Sequence, residues 1–206
     1  MILVSFLTIS TNLNAQTVKI PPCPVQQEWM TTNLDVSSLN NGTPLLEAQT
    51  NAQWVAACSK QQPAWCYYML GTSKVTKYGK LYNWYAVATG KLAPAGWRVP
   101  SKADWETLIS NLGGFSVAGG KIKEAGLAHW VSPNTGATNS SGFTGLPGGD
   151  RRDNGVFENI GGYGDWWGST SVNAIFAWDI FTASSIKSVV LKDDKKCFGF
   201  SVRCVR

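Results

Sequence analysis

The sequence predicts an α+β fold. Two stretches in the first half of the chain have the apolar spacing of amphipathic helices, and the C-terminal part contains several short stretches of β pattern. Between them, residues 142–170 combine many glycines with large apolar side chains, which is unlike a flexible linker. Few helices at the front, an antiparallel set of strands at the back and long loops between them are typical of the α+β class. The length of 206 residues suits a single domain, with or without an extension.

The N-terminal residues resemble a secretory signal. An apolar run over Met1–Ile9 is followed by small polar residues, and the run is too short to span a bilayer. We therefore predict a signal peptide over 1–16, an extension over 17–27 and one domain over 28–206. This organisation implies a protein that is secreted or displayed at the cell surface. An N-terminal strand is the alternative interpretation of the apolar run.

The clearest element is a helix that begins after Ser101. Asp104 lies three residues later, which is an acidic variant of the capping box. Gly113 and Gly114 end the helix. Its apolar stripe consists of Trp105, Leu108, Ile109 and Leu112.

A second main helix is predicted within residues 78–90, where Gly90 ends the apolar run. Its stripe consists of Leu81, Trp84, Tyr85 and Ala88. Residues 51–58 are a weaker helix candidate. Residues 28–36 and 65–69 have a strand-like composition.

Strands are predicted near the C-terminus at 176–183, 186–192 and 198–206. Alternation in the last strand places four residues on one face: Phe198, Phe200, Val202 and Cys204. The segment 142–170 is expected to be an ordered, loop-rich region that folds over the core and presents a surface.

The net charge of +5 is concentrated in residues 187–206. Nucleic-acid binding needs a larger basic stripe and a matching motif, and the sequence has neither. We therefore expect a solvated basic edge. Neither nucleic-acid binding nor membrane insertion is predicted.

The five cysteines fit an oxidising compartment, although their odd number leaves one unpaired. Cys197 and Cys204 are seven residues apart on one predicted strand, about 23 Å when extended, so they should not pair with each other. Two alternatives remain for Cys66: a bond to Cys58, or a bond to the C-terminal strand.

The sequence offers only weak signals for catalytic groups. The run from Asp150 to Asp153 combines carboxylates with arginines that should keep both of them ionised, so we interpret it as a salt-bridged surface turn. His129 is the only histidine and has no serine or cysteine motif to serve. Gly148–Gly149 does not open a helix after a strand, so a phosphate loop is not supported. We expect no enzymatic activity, no metal site and no cofactor.

Six ordered motifs resemble the Fibrobacter succinogenes major paralogous domain family: YGKLYNWYAV, LAPAGWRVPSKADWETL, GGKIKEAG, GFTGLPGGDRR, WWGST and GFSVRCVR. The resemblance covers roughly residues 28–206. It implies a C-type lectin-like fold with two main helices, short antiparallel sheets and a long loop region rich in glycine and aromatic residues. In that fold the first and last strands pair at the base, so the resemblance implies that 29–34 pairs antiparallel with 202–206 and closes the domain. Members of the family are associated with secreted and surface proteins, mostly without an assigned activity.

A narrower resemblance links the C-terminal part to the variable proteins of diversity-generating retroelements. In those proteins a mutable segment lies between a tryptophan-rich motif and a terminal strand, here WWGST and GFSVRCVR. The resemblance implies a hypervariable binding face over 172–198, with ordinary divergence as the alternative. The implied ligand-binding residues are Asn173, Ile175, Phe176, Asp179, Phe181, Ala183, Ile186, Ser188, Val190, Lys192, Asp193 and Asp194.

The chain departs from two functional relatives of this fold. It lacks the E-P-N, Q-P-D and W-N-D motifs with which calcium-dependent lectins bind sugars. Cys197 and Cys204 only loosely resemble the reactive pair of formylglycine-generating enzymes, so an oxidoreductase of that type is the weakest alternative. A structural cell-surface or fibre-associated protein is the main alternative to a binding module.

Alternation also predicts which side of strand 176–183 faces outward. Phe176, Trp178 and Ile180 have the larger apolar volume and should face the core. Asp179 and Phe181 should then face outward and contribute to binding an unknown protein or surface ligand. Exposure of Ile175, Phe176, Asp179 and Phe181 would favour a binding face, whereas burial would favour a structural role.

Overall fold

The computed structural model describes residues 16–19 and 27–206. Within these residues helices and short sheets alternate, which confirms the α+β class. Most of the predicted signal peptide and Cys23 lie outside the described part of the chain. The described residues contain four helices where the sequence predicted two main ones: α1 (Asn51–Ser59), α2 (Trp84–Ala88), α3 (Lys102–Asn111) and α4 (Phe115–Ile122).

Most strands of the described residues are short: β1 (Thr17–Lys19), β2 (Glu28–Met30), β3 (Leu46–Glu47), β4 (Ala64–Cys66), β5 (Tyr68–Leu70), β6 (Ser73–Val75), β7 (Leu81–Tyr82), β8 (Asp150–Arg151), β9 (Phe157–Glu158), β10 (Tyr163–Ser171), β11 (Phe176–Ala183) and β12 (Val190–Lys195). They form the sheets β1-β2, β3-β4-β7, β5-β6, β8-β9 and β10-β11-β12. Strands β3 and β4 are parallel, and the other named neighbours are antiparallel. The sheet β10-β11-β12 has the longest strands and carries the candidate site.

The two ends of the domain are joined as predicted. Trp29 bridges Val205 in antiparallel orientation. The amide of Met30 donates to the carbonyl of Cys204 at 3.1 Å, and that of Leu34 donates to Val202 at 2.8 Å. The regular strand is shorter than the predicted 28–36 and ends at Met30.

Helix α3 confirms the strongest sequence prediction. The side chain of Ser101 accepts a hydrogen bond from the amide of Asp104, and the Asp104 carboxylate accepts one from the amide of Ser101, which completes the capping box. Trp105 is fully buried on the inner face of the helix. It packs in one apolar cluster with residues of the termini and of the sheet, including Trp29, Phe143, Trp166 and Ile180.

Helix α2 begins later than predicted. Leu81 pairs with Cys66 and Tyr82 pairs with Trp65, so both residues belong to a strand. The Asn83 side chain then caps the helix by accepting a hydrogen bond from the amide of Ala86 at 3.2 Å. Tertiary pairing therefore overrides the helical spacing of Leu81.

Helix α4 was not predicted from the sequence. Its two glycines permit close packing: a Cβ on Gly119 would lie 2.1 Å from the carbonyl oxygen of Ser188, and one on Gly120 would lie 2.2 Å from that of Gly136. Glycines weaken a helix by about 1 kcal/mol each relative to alanine, so this stretch has little helical signal of its own. Its packing against the 136 and 188 backbones stabilises it instead.

The segment 142–170 is more regular than expected, because it contains β10, the longest strand described. Trp166 and Trp167 are both fully buried and face opposite sides of the sheet. Trp166 packs in the cluster of α3, and Trp167 packs with the C-terminal residues Phe200 and Val202. The aromatic residues of this segment thus connect two apolar clusters.

The C-terminal strands also differ from the prediction. Strand β12 runs from Val190 to Lys195, whereas the sequence predicted a strand at 186–192; it extends further because Asp193 pairs with Trp178 and Asp194 pairs with Ala177. The stretch 198–206 is extended but makes isolated bridges to several partners rather than one ladder. The predicted common face is confirmed, since one buried cluster contains Phe198, Phe200, Val202 and Cys204.

Cys58 and Cys197 form a disulfide with a Cα–Cα distance of 5.3 Å. Both alternatives proposed for Cys66 are therefore wrong among the described cysteines, in which Cys66 and Cys204 are buried and unbridged. The bond joins α1 to the C-terminal stretch across 139 residues, a pairing that spacing along the chain does not reveal. None of the helices in the described residues is long and apolar enough to cross a bilayer.

Candidate functional site

A cleft of about 270 Å³ lies on one face of the sheet β10-β11-β12. Cross-strand pairing places Asp165 opposite Phe181 and Asp179 opposite Lys192, so these side chains share that face. The opposite face packs on α3 through Trp166 and Ile180. The cleft is lined by Asp150, Arg152, Tyr163, Asp165, Phe181, Lys192, Asp194 and Phe200.

Lys192 is the centre of the charge cluster in this cleft. Its Nζ lies 2.8 Å from an Asp179 carboxylate oxygen and 3.4 Å from one of Asp165, and it also pairs with Asp194. Burial works against the charged ammonium, but the three carboxylates outweigh it and raise the pKa of Lys192 above its ordinary value. Lys192 is therefore charged across the physiological range.

Two of the carboxyls around Lys192, those of Asp165 and Asp179, retain protons to unusually high pH. Burial raises the pKa of Asp165 to about 7, although Lys192 opposes the shift. Burial also raises the pKa of Asp179 well above its ordinary value. Within the described part of the chain, Asp179 has an ion pair with the Lys192 ammonium at 2.8 Å but no further hydrogen-bond donor for its oxygens. The site thus contains a buried acid whose hydrogen-bonding capacity is not used.

The opposite wall of the cleft comes from β8 and β9. Asp150 accepts a hydrogen bond from the Asn159 side chain at 2.7 Å on one oxygen. Its other oxygen is 3.0 Å from Arg152 Nε but accepts no hydrogen bond from the described residues. Arg152 also pairs with Glu158 at 2.8 Å. This wall covers the sheet and excludes much of the solvent from the carboxyls.

The prediction of a surface turn at Asp150–Asp153 is wrong for its first two residues, which are buried. Arg151 donates to the carbonyl of Ala48 at 2.6 Å and stacks on Trp54 and Phe157. Burial raises the pKa of Asp150 although Asn159 and Arg152 lower it, so the arginine is not the dominant influence on this carboxyl. Alternating backbone direction turns Arg151 away from the cleft and Asp150 towards it.

The structure separates the twelve predicted site residues into three groups. Asn173, Ile175, Val190 and Asp193 are exposed. Phe176, Phe181, Ile186, Ser188, Lys192 and Asp194 are partly buried. Asp179 and Ala183 are buried.

Asp179 and Phe181 lie on the predicted side of strand 176–183, but Asp179 is not exposed as predicted. Asp179 and Phe181 do lie on the face opposite Ile180, yet Asp179 is 0% exposed. Only Ile175, at 58%, is exposed among the four residues chosen to separate a binding face from a structural face. The physical reason is that Asp179 lies between Trp167 and Lys192 on the two neighbouring strands and is ion-paired with Lys192, which alternation within one strand does not predict.

The structure brings some predicted residues together and leaves others apart. Phe181, Lys192 and Asp194 line the cleft, with Asp179 bonded to its central lysine. Asp193 lies on the other face of β12, because its neighbours Lys192 and Asp194 face the cleft. The remaining predicted residues lie outside the cleft lining: Asn173, Ile175, Phe176, Ala183, Ile186, Ser188 and Val190.

Sequence reasoning missed Tyr163 and Asp165 on β10 and the cleft-facing role of Asp150. A signal for the first two was present in the motif YGDWWGST. Alternation there places Tyr163, Asp165 and Trp167 on one side of the strand. A carboxylate between two aromatic residues on one strand face indicates a polar group held within an apolar surface.

A second cleft, of about 490 Å³, contains the single histidine. His129 Nδ1 lies 2.9 Å from the Glu124 carboxylate, and the ring packs edge-on against Tyr78. No serine or cysteine lines this cleft within the described residues. The described chain also contains no group of three or more His, Cys, Asp or Glu side chains arranged to hold a metal ion.

Comparison with known proteins agrees with the order of the sequence motifs. The family model of the Fibrobacter succinogenes major domain matches residues 25–206. No curated protein and no solved structure matches the chain. Because the family model spans most of the sequence, the chain belongs to the Fibrobacter succinogenes major domain family.

Proposed function

We propose that this protein is a secreted or surface-displayed binding module whose ligand site is the cleft on β10-β11-β12. The observation that carries the proposal is the set of buried carboxyls beside an open cleft, two of which have oxygens without a hydrogen bond from the described residues. Buried polar groups are normally satisfied, so each exception needs a reason. A ligand that enters the cleft would supply the missing partner.

The rim of the cleft supports a role in binding. Tyr163 is 38% exposed and packs edge-on against Phe181, while Val190 lies opposite Phe181 on β12 and is 41% exposed. Aromatic residues at the edge of a desolvated pocket typically provide much of the binding energy of an interface. The rim therefore offers apolar contact around a charged interior.

The oxidoreductase alternative is disfavoured by the cysteines. Cys197 forms a disulfide with Cys58, and Cys204 is buried. Burial raises the pKa of the Cys204 thiol to about 12, which keeps it in the unreactive thiol form. The two residues therefore do not form a reactive pair, and we propose a binding role rather than an enzymatic one.

The location and the finer fold assignment are parts of the same proposal. The disulfide is compatible with an oxidising compartment, as the predicted export requires. The bridge between Trp29 and Val205 supports the C-type lectin-like arrangement, in which the first and last strands meet at the base of the domain.

Diversification of 172–198 also stays a prediction. Exposed positions such as Ile175 and Val190 tolerate replacement more readily than the buried Asp179 and Ala183. Genomic DNA tests this idea directly. An imperfect repeat of the 3′ end that differs at adenines, next to a reverse transcriptase gene, would support it, whereas its absence would favour ordinary divergence.

The binding role can be tested by selection. Peptide and glycan libraries are screened against the full chain, and each hit is measured against the double variant Tyr163→Ala/Val190→Asp. Leu70→Asp is the matched control, because Leu70 is 65% exposed on β5, outside the cleft. We expect hits that bind the wild type and Leu70→Asp equally and lose roughly tenfold or more in affinity for the double variant.

Two results would contradict the proposal. One is the absence of any specific hit in both libraries. The other is a set of hits that bind the double variant as well as the wild type. Circular dichroism of each variant establishes that the loss of binding is not a loss of folding.

A further inference from the structure

The cleft has an excess of acidic over basic groups. Four aspartates face or adjoin it, namely Asp150, Asp165, Asp179 and Asp194, and its cationic groups are Arg152 and Lys192. Arg152 is shared with Glu158, which lies outside the cleft lining. The acids have more oxygens than these two cations can satisfy, so an incoming cation fits the site and an incoming anion does not.

Two buried carboxyl groups, with three oxygens that accept no hydrogen bond from the described residues, lie at or beside the place where the cation would be bound. Asp150 is 2% exposed and lines the cleft, and its second oxygen accepts no hydrogen bond from the described residues. Asp179 adjoins the cleft through Lys192, and neither of its oxygens accepts one. A buried carboxylate normally accepts several hydrogen bonds, so these groups lack donors. An N–H donor with a positive charge would satisfy both the charge and the geometry.

The aromatic lining favours an organic cation. Phe181 and Phe200 already lie 5.5 Å and 5.2 Å from the Lys192 ammonium, within the range of cation–π attraction. Tyr163 extends this aromatic surface to the mouth of the cleft, where Val190 is also exposed. An alkyl stem can pack on this rim while its charged end enters the cleft.

The size of the cleft and the arrangement of its carboxyls narrow the class of cation further. The cleft of about 270 Å³ is slightly smaller than the usual range of roughly 300–1,000 Å³ for drug-sized ligands, so it suits one side chain. The carboxyls surround the ammonium of Lys192 and, within the described residues, do not converge in threes on an empty point as metal ligands do. An ammonium on a flexible stem meets these constraints better than a divalent metal.

We infer that the cleft recognises a lysine side chain of a partner protein, whose ammonium is bound by Asp150, Asp165 and Asp194 and whose stem packs on Tyr163. This inference rests on the proposed binding function and assigns its ligand chemistry. Binding of the ammonium also changes the protonation of the cleft carboxyls. An ammonium that enters while Asp165 is protonated displaces that proton to solvent, so affinity rises with pH.

The test is isothermal titration calorimetry of the full chain with three probes. The probes are N-acetyl-lysine methylamide, its Nε-acetylated form, which is neutral, and cadaverine, a free diamine. We expect the first to bind and the second to bind roughly tenfold or more weakly, because acetylation removes the charge. Affinity for the first probe should be several-fold higher at about pH 8 than at about pH 5.5, with proton release visible as a dependence on buffer ionisation enthalpy.

Matched variants localise the effect. Asp165→Asn and Asp194→Asn each remove one cleft carboxylate and should weaken binding of the lysine probe roughly tenfold. Asp193→Asn is the control, since Asp193 is exposed on the opposite face of the same strand. It should bind the probe as the wild type does. Because Asp194 is only partly buried, its variant provides a folded test if Asp165→Asn does not fold.

The possible results distinguish the lysine inference from the proposed binding function. Equal binding of the charged and acetylated probes, or equal loss in Asp193→Asn, would overturn the lysine inference. Binding of cadaverine without binding of the lysine probe would also overturn it, in favour of a free amine. If library hits depend on the rim residues but contain no lysine, the binding function stands and only this inference fails.

Discussion

Arg203 and Asp179 are both fully buried ionisable side chains, yet their hydrogen bonding differs. The Arg203 guanidinium donates to the carbonyls of Met30 at 2.9 Å and Phe143 at 2.6 Å, and to the side-chain oxygen of Asn33 at 2.8 Å. Asp179 has a single ion-pair partner, Lys192, and accepts no hydrogen bond from the described residues. The first charge is fully bonded, whereas the second is incompletely bonded.

Other buried cations follow the pattern of Arg203. Lys123 donates to the carbonyls of Thr135, Ala183 and Ile186 at 2.7–3.0 Å. In both residues the acceptors are carbonyls of segments far apart in sequence, so one cation ties several loops together. We call the part of the domain that contains Arg203 and Lys123 the scaffold.

The comparison separates stability from function. In the scaffold, every charge that is removed from water receives hydrogen bonds in return, as expected where the folded state alone is selected. In the cleft, Asp165, Asp179 and Asp194 share one cationic partner, Lys192, and burial favours the protonated forms of Asp165 and Asp179. Incompletely bonded charges destabilise the free protein, and such local cost is typical of a binding site.

The largest effect is expected for the apolar packing of the scaffold. Trp105→Ala empties a fully buried aromatic site and should lower the free energy of unfolding by about 3–5 kcal/mol. Urea denaturation measures this change. An unchanged midpoint would mean that the stripe of α3 does not hold the domain together.

Removal of the scaffold cation should have the next largest effect. Arg203→Met leaves the carbonyls of Met30 and Phe143 without these donors, and we expect a loss of about 2–4 kcal/mol. Arg206→Met is the control, because Arg206 is half-exposed and pairs only with Glu28 at the surface. Equal effects of the two substitutions in urea denaturation would remove the distinction between scaffold and surface charges.

Asp165→Asn should change stability in the opposite direction and raise the free energy of unfolding at high pH. The pKa of Asp165 is raised from the ordinary 3.8 to about 7, so the folded state retains a proton that the unfolded chain releases near pH 4. Stability is therefore lost as pH rises from about 4 to 7, and this loss is absent in the asparagine variant. The variant should be more stable by about 1–3 kcal/mol at pH 8 and nearly equal to the wild type at pH 4.

Thermal or urea unfolding across this pH range measures the difference. The shift depends on the other groups that face Asp165, namely Lys192, which lowers its pKa, and Asp150 and Asp194, which raise it. Asp179 also shares Lys192 with Asp165. A pH-independent difference between variant and wild type would contradict the prediction.

The smallest effects are expected at the exposed positions of 172–198. A library that varies Asn173, Ile175, Val190 and Asp193 should yield mostly soluble, folded protein, with changes within about 0.5 kcal/mol for single substitutions. A library that varies the buried Asp179 and Ala183 should yield few folded variants. Equal folded yields from both libraries would contradict the burial pattern on which the cleft is defined.

Local patterns were sufficient for several elements. The helix α3 was predicted with its capping box and stripe because both signals lie within twelve residues of sequence. The pairing of Trp29–Leu34 with Val202–Arg206 followed from the ordered motifs and is confirmed by the hydrogen bonds between these segments. The side to which Asp179 and Phe181 point was also predictable, since alternation in a strand is local.

The candidate site was predictable only in part. Phe181, Lys192 and Asp194 were named from the sequence, whereas Asp165 and Asp150 were not assigned to the site. Asp165 directly precedes Trp166 and Trp167, whose apolar side chains indicated a core and not a polar site. Asp150 stood beside arginines that indicated a surface turn, and nothing local distinguishes that turn from a wall over a sheet.

The sequence by itself determined the fold class, the family, the best helix and the face on which each strand residue lies, because these depend on spacing between near neighbours. Only the tertiary structure decided which faces are covered. Cys58 meets Cys197 across 139 residues, and Asp179 is fully buried between Trp167 and Lys192. Burial then raises the pKa values of Asp165 and Asp179, so their chemistry depends on contacts between distant segments that no local pattern encodes.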